Sequence, residues 1–296
     1  MRSDQQMLNL ILDTAQTDPR VRAVIMNGSR ANPNAPKDIF QDFDIVYLVT
    51  DVESFKADPA WIDVFGARMI LQLPDDMEDP PPEPNGSYAY LMQFMDGNRI
   101  DLTLYPVNNL PKMARDSQSI LLLDKDGIVV PFPPPSDRDY LPQPPTAKQF
   151  FDCCNEFWWL TPYVAKGLWR EELTYAKTHL DDYMRSQLMK MLTWYVGIKT
   201  DFQKSPGKMG KYLDQFLEPE LWALLLNTYS DASYAKNWDA LEIMGQLFRR
   251  TAVPVAEHFG FEYPHEDDER VSAHVRHVRD LPKDAETMYQ AKAPIP

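Results

Sequence analysis

The chain has 296 residues, 44% hydrophobic, 25% charged and 12% aromatic, which is enough apolar material for one large domain or two modest ones with packed cores. No stretch approaches the ~18 consecutive apolar residues of a membrane-spanning helix, so the sequence excludes one. The formal charge is −14, and both residues 1–150 (22 acids, 13 bases) and residues 151–296 (22 acids, 17 bases) are acidic. Neither half offers the basic surface that nucleic acid or an anionic membrane requires; the charge fits simple solubility or the steering of a cationic small molecule.

The first elements follow from local signals. Ser3-Asp4-Gln5-Gln6 has the form of a capping box, opening a helix that carries Met7, Leu8, Leu10, Ile11 and Ala15. Asp4, Asp13 and Asp18 interrupt the first twenty residues, which do not read as a secretory signal. Val21 to Met26 is a short apolar run stopped by Asn27-Gly28-Ser29, the pattern of a buried strand ending in a tight turn. Asp42 to Val49 predicts a second strand, and Arg68 to Leu73 another. Asp79 to Pro84 is a proline-rich surface loop. Tyr88 to Met95 and Arg99 to Tyr105 flank Asp96-Gly97, a strong hairpin signal.

Seven prolines fall between Pro131 and Pro145, a stretch that cannot be helix or central strand. The predicted organisation is therefore a first domain over 1–135, an extended connector over 136–145 and a second domain over 146–296. Helix-period segments dominate that second part: Ala147 to Val164, Arg170 to Thr200, Glu220 to Tyr229 and Trp238 to His258. Glu266-Asp267-Asp268-Glu269 reads as the acidic first turn of a further helix. The tail after Pro282 is polar and expected to fray. The fold class is α+β: a mixed β-sheet flanked by helices, followed by a helical bundle.

Two adjacent cysteines, Cys153 and Cys154, cannot staple a scaffold, so a reducing cytoplasm is the expected compartment. The five histidines are scattered, and neither they nor the cysteines have zinc-site spacing.

The chemistry concentrates in the first half. Asp42 and Asp44 are two apart on a predicted strand, so both carboxylates leave the same face. Like charges that close repel unless a cation lies between them, and hard oxygen ligands suit Mg²⁺. Asp101 lies within Arg99-Ile100-Asp101-Leu102-Thr103-Leu104, an otherwise apolar strand. If that strand pairs beside the second, three carboxylates share one face. The Gly28-Ser29 turn can place N–H groups and a hydroxyl around phosphate oxygens. Metal pair plus phosphate turn is the equipment for in-line phosphoryl or nucleotidyl transfer. Arg30, directly after the turn, fits two roles: meeting phosphate, or pairing with Asp42 or Asp44.

These stretches resemble nucleotidyltransferases of the polymerase β type, and more narrowly the bacterial aminoglycoside 6-adenylyltransferases. The similarity is carried by Asn27-Gly28-Ser29-Arg30-Ala31-Asn32-Pro33, Gln41-Asp42-Phe43-Asp44-Ile45-Val46, Trp61-Ile62-Asp63-Val64-Phe65-Gly66 and Asp96 to Thr103. In the second half it is carried by Tyr163 to Glu172 and His258 to Pro264. The resemblance implies a nucleotidyltransferase domain that moves AMP from ATP to the 6-hydroxyl of streptomycin, with release of pyrophosphate. It implies Mg²⁺ on Asp42 and Asp44, the β- and γ-phosphates on Gly28 and Ser29, and Asp101 as third metal ligand or general base.

A dicationic substrate such as streptomycin calls for carboxylates and flat aromatic faces. Glu156, Trp158, Trp159, Asp181 and Asp182 are the candidates, against the alternative of core tryptophans and solvated helix acids. Lys208 and Lys211, in a glycine-bearing turn, are candidates for the triphosphate, against the alternative of a solvated loop. Two other functions fit the same pattern: a transferase acting on another small molecule or a protein hydroxyl, and a non-catalytic nucleotide sensor.

Overall fold

The computed structural model describes residues 1–82 and 84–289, so Glu83 in the proline-rich loop and the last seven residues lie outside it. The chain divides into two compact units between Asp139 and Tyr140.

The first unit is built on a six-stranded sheet in the order β3-β4-β5-β2-β1-β6. The strands are β1 (Val21–Asn27), β2 (Phe43–Val49), β3 (Arg68–Gln72), β4 (Tyr88–Phe94), β5 (Arg99–Pro106) and β6 (Ile120–Asp124). Among the described residues only β2 and β5 pair in parallel; the remaining pairings are antiparallel, so the sheet is mixed. Among the described residues three α-helices accompany it: α1 (Asp4–Thr17) and the single turns α2 (Gly28–Ala31) and α3 (Glu53–Lys56).

The expected capping box forms, with Ser3 Oγ accepting from the Gln6 amide and Gln6 Oε1 from the Ser3 amide. Helix α1 buries Met7, Ile11 and Ala15, and Tyr47 on β2 donates its hydroxyl to the Ile11 carbonyl at 2.5 Å. The Asp96-Gly97 turn joins β4 to β5 with Gly97 at φ +88°, a conformation that a side chain would strain. Strand β6 was not expected: Ile120-Leu121-Leu122-Leu123 lacks alternation and every residue is half-buried, so only pairing with β1 identifies it.

The proline-rich stretch contains one helical turn after all, a 3₁₀ turn at Arg138–Tyr140. It forms in the proline-free window from Ser136 to Leu141. Residues 136–139 are tied to the first unit: the Ser136 amide donates to Ser117 O, and Asp137 accepts from Asn32 and Gln118.

The second unit is helical: α4 (Ala147–Trp169), α5 (Leu173–Thr178), α6 (Arg185–Lys199), α7 (Pro219–Asn227), α8 (Tyr234–Phe259) and α9 (His265–Asp280). The single helix expected over Arg170 to Thr200 is corrected in two respects. It begins only at Leu173, after Glu171 at φ +60°, and it passes through a π-helical turn at His179–Met184 between α5 and α6. A π turn adds one residue to the helical repeat, which a 3.6-residue pattern does not register. Within this unit's core, Phe157 and Phe248 stack at 3.8 Å and Cys153 and Cys154 are buried. Asp268, in the acidic first turn of α9, is also buried, paired with Arg249 and accepting from Tyr263 at 2.8 Å. No described helix is long and apolar enough to cross a membrane.

Candidate active site

The parallel pairing of β2 with β5 builds the site. Their register sets Asp44 opposite Asp101, while Asp42 stands one residue before β2 begins. One carboxylate oxygen from each of Asp42, Asp44 and Asp101 lies within 4.8 Å of the other two, and all three side chains are half-buried. Three oxygen donors so spaced fit a hard divalent cation.

The Gly28 turn presses on this group. Register across β1 and β2 places Asn27 opposite Asp44. Gly28 takes φ +73°, and a Cβ there would lie 2.2 Å from Asp44 Oδ2. Only glycine lets the chain turn this close to that carboxylate. The Gly28 amide itself donates to the Gln118 carbonyl at 3.0 Å, so this N–H of the turn is already bonded within the chain. Gly28 serves the site by lacking a side chain. Ser29 follows in the first turn of α2, where backbone amides have no partner within the helix.

Arg30 meets the main chain at Asp42 and not the carboxylates of Asp42 or Asp44. Its Nε and Nη2 donate to the carbonyls of Asp42 (2.9 Å) and Gln41 (2.8 Å), and its Nη1 pairs with Asp4 at 2.8 Å. Its guanidinium lies 3.8 Å over the Phe43 ring, and its side chain is 8% exposed. Arg30 thus anchors the main chain that carries Asp42.

The arginine that does meet a site carboxylate is Arg99, which the sequence reading passed over. Its Nε and Nη2 donate to Asp101 Oδ1 and Oδ2, both at 2.7 Å, and Nε is 4.0 Å from Asp42 Oδ2. The hydrogen bond to Asp101 holds this guanidinium above its ordinary pKa against the opposing effect of burial, with the charges of Asp42 and Asp44 adding to it. The signal was available: Arg99 and Asp101 are two apart on one strand, the rule already applied to Asp42 and Asp44.

The second unit sorts its own candidates. Trp158 is buried, donates Nε1 to Tyr263 at 3.2 Å and packs edge-on against Phe157 and Phe248, so it is a core residue with no face for a ligand. Its neighbour Trp159 points the other way, 64% exposed and edge-on to Tyr163. Tyr163 in turn stacks on His179 of the π turn, and His179 also contacts Tyr175 and Tyr183. Glu156 and Asp182 are exposed. Asp181 is ion-paired with both Lys177 (2.7 Å) and Arg185 (3.0 Å), which fixes the π turn to its flanking helices. Lys208 and Lys211 are exposed in a loop where Gly207, Met209 and Gly210 all take positive φ. Beside that loop is a cavity of about 440 Å³ whose lining includes Arg185 and Lys190.

A tight turn folded against three carboxylates, with two of them paired across parallel strands, is the arrangement expected of a metal-dependent nucleotidyltransferase. The chain belongs to the streptomycin adenylyltransferase family, whose model matches residues 1–278. It is 45% identical over 276 residues to an aminoglycoside 6-adenylyltransferase of Campylobacter jejuni, covering 93% of this chain and 95% of that protein. It is 41% identical over 270 residues to the corresponding protein of Bacillus subtilis strain 168, covering 90% and 95%. The crystal structure of an aminoglycoside 6-adenyltransferase from Bacillus subtilis matches 95% of this chain and 100% of its own, at 36% identity and a TM-score of 0.47.

Proposed function

We propose that the protein transfers AMP from ATP to a hydroxyl of streptomycin, the 6-hydroxyl by kinship, releases pyrophosphate and so confers resistance in the cytoplasm. The observation that carries this reading is the gathering of Asp42, Asp44 and Asp101 around Gly28. Family membership and the names of the relatives supply the substrate class.

The three carboxylates are the donor set for Mg²⁺, which when bound neutralises charge on the triphosphate and its pyrophosphate leaving group. The chain's own residues do the rest. Ser29 offers its hydroxyl and amide to phosphate oxygens. Arg30 fixes the backbone at Asp42, so this carboxylate is oriented before substrate arrives. Asp101 fits two roles: a third oxygen ligand, or the base that takes the proton of the attacking sugar hydroxyl. In the second unit, Trp159 with Glu156 and Asp182 offers an aromatic face and carboxylates to a guanidinium. Lys208 and Lys211 are the proposed cationic contacts for the triphosphate.

The test is incubation with α-labelled ATP, Mg²⁺ and a panel including streptomycin and kanamycin. Label on streptomycin but not on kanamycin, with one pyrophosphate per AMP transferred, is expected. Label appearing only on protein, or ATP binding with no pyrophosphate from any acceptor, overturns the reading; the second result would identify a nucleotide sensor.

A further inference from the structure

The two arginines at the site are held differently. Arg30 is buried and donates to main-chain carbonyls, so it belongs to the scaffold. Arg99 is nearly half-exposed, and its hydrogen bonds and ion pairs go to site carboxylates, Asp101 at 2.7 Å and Asp42 at 4.0 Å. Its strand is secured independently by main-chain pairing with β2 and β4. The Arg99 side chain can therefore leave the carboxylates without unpinning β5.

We propose that Arg99 is a resident counter-cation: in the free chain it occupies the Asp101 carboxylate, offsets the clustered negative charge and disfavours capture of a bare divalent metal. The inference rests on the proposed metal role of Asp42, Asp44 and Asp101. The physical basis is competition. A guanidinium bonded to both oxygens of Asp101 uses the lone pairs that face it, and a dication arriving nearby meets a fixed positive charge. The metal–nucleotide complex is different. Its phosphate oxygens are anions to which a planar guanidinium binds well, so the same arginine that opposes bare metal has a partner when metal arrives with nucleotide. Arg99 thereby couples metal entry to nucleotide entry.

The test is direct Mn²⁺ binding, read from the electron paramagnetic resonance of the free ion, with and without a non-hydrolysable ATP analogue. Arg99→Gln is expected to tighten bare Mn²⁺ about tenfold, the equivalent of roughly 1.4 kcal/mol. It is expected to lower the melting temperature in chelator, where the carboxylates lose their counter-ion. Arg99→Lys keeps the charge and loses the two-pronged bond, so a smaller tightening is expected; it carries the test if Arg99→Gln does not fold. With the analogue present the difference from wild type should shrink or reverse. Bare Mn²⁺ affinity that is unchanged or weaker in these variants overturns the proposal, because a purely structural ion pair predicts that result. Asp44→Asn separates the two readings. If it abolishes Mn²⁺ binding while the Arg99 variants have no effect, the metal site stands and this inference falls. If it leaves Mn²⁺ binding intact, both fall.

Discussion

Gly28→Ala is the most demanding test of the site, because the structure fixes both where the added atom goes and which atom must yield. The new Cβ would lie 2.2 Å from Asp44 Oδ2. An unstrained C···O contact is about 3.3 Å, so the carboxylate must retreat by roughly 1 Å. The yielding atom is the end of a short side chain and not packed backbone, so the fold survives and the displaced group is the proposed metal ligand. Misplacement by about 1 Å at a reacting centre costs on the order of 100-fold in rate. Alanine at φ +73° adds about 1–2 kcal/mol of backbone strain, a fall of roughly 4–8 °C in melting temperature for a unit of this size. Initial rates of pyrophosphate release measured well below the transition, beside a thermal melt, distinguish the two effects. The expected result is a loss near two orders of magnitude in a protein that is still folded. A folded Gly28→Ala variant with more than half the wild-type rate would show that Asp44 does not need its observed position, and the metal assignment would fail with it.

Asp42→Asn and Asp44→Asn should each reduce turnover by more than about 1000-fold with little change in circular dichroism, since each removes a charged ligand from a half-buried cluster and leaves packing intact. The adjacent tryptophans should separate cleanly. Trp158→Ala removes a buried ring and a hydrogen bond to Tyr263 and is expected to destabilise by about 3–5 kcal/mol in urea titrations. Trp159→Ala should stay within about 0.5 kcal/mol of wild type while raising the KM for the aminoglycoside and leaving that for ATP unchanged. Burial pushes the Cys153 thiol up to about 12 and raises that of Cys154 as well. Both are therefore protonated at pH 8 and should resist Ellman's reagent until urea unfolds the chain. Finally, if the acidic surface steers a multiply charged antibiotic, kcat/KM for it should fall as salt rises from 10 to 300 mM, and a flat profile would reduce the charge of −14 to a solubilising role.

How much of this was legible in the sequence depended on whether a feature was local. The capping box at Ser3, the Asp-Gly hairpin and the acidic start of α9 were readable because each is decided within one or two turns of chain. The convergence of Asp101 on Asp42 and Asp44 was readable only as a condition, that β5 lie beside β2, and the register of Asp44 opposite Asp101 meets it. Strand β6 was not readable, because a half-buried edge partner has neither alternation nor full burial to mark it. Nor was the division between Trp158 and Trp159. Neighbours on a helix point about 100° apart, so one, both or neither can face the core, and the sequence does not say where the core stripe begins.

The arginines show the same limit at the level of chemistry. Arg30 follows the Gly-Ser turn and fitted either phosphate or Asp42 and Asp44, yet its position after that turn brings the Gln41 and Asp42 carbonyls within reach, and two main-chain acceptors plus Asp4 engage each of its three nitrogens. Arg99 was given no role from the sequence, but the two-residue period sends it to the face that Asp101 occupies. A residue type near a site does not fix a role; what fixes it is the set of acceptors already within about 3 Å before any ligand arrives. By that criterion Arg30 is committed to the scaffold, with all three of its nitrogens bonded within the chain. Arg99 bonds Asp101, one of the carboxylates proposed for the metal, so its partners are the ones expected to change if metal and nucleotide bind there.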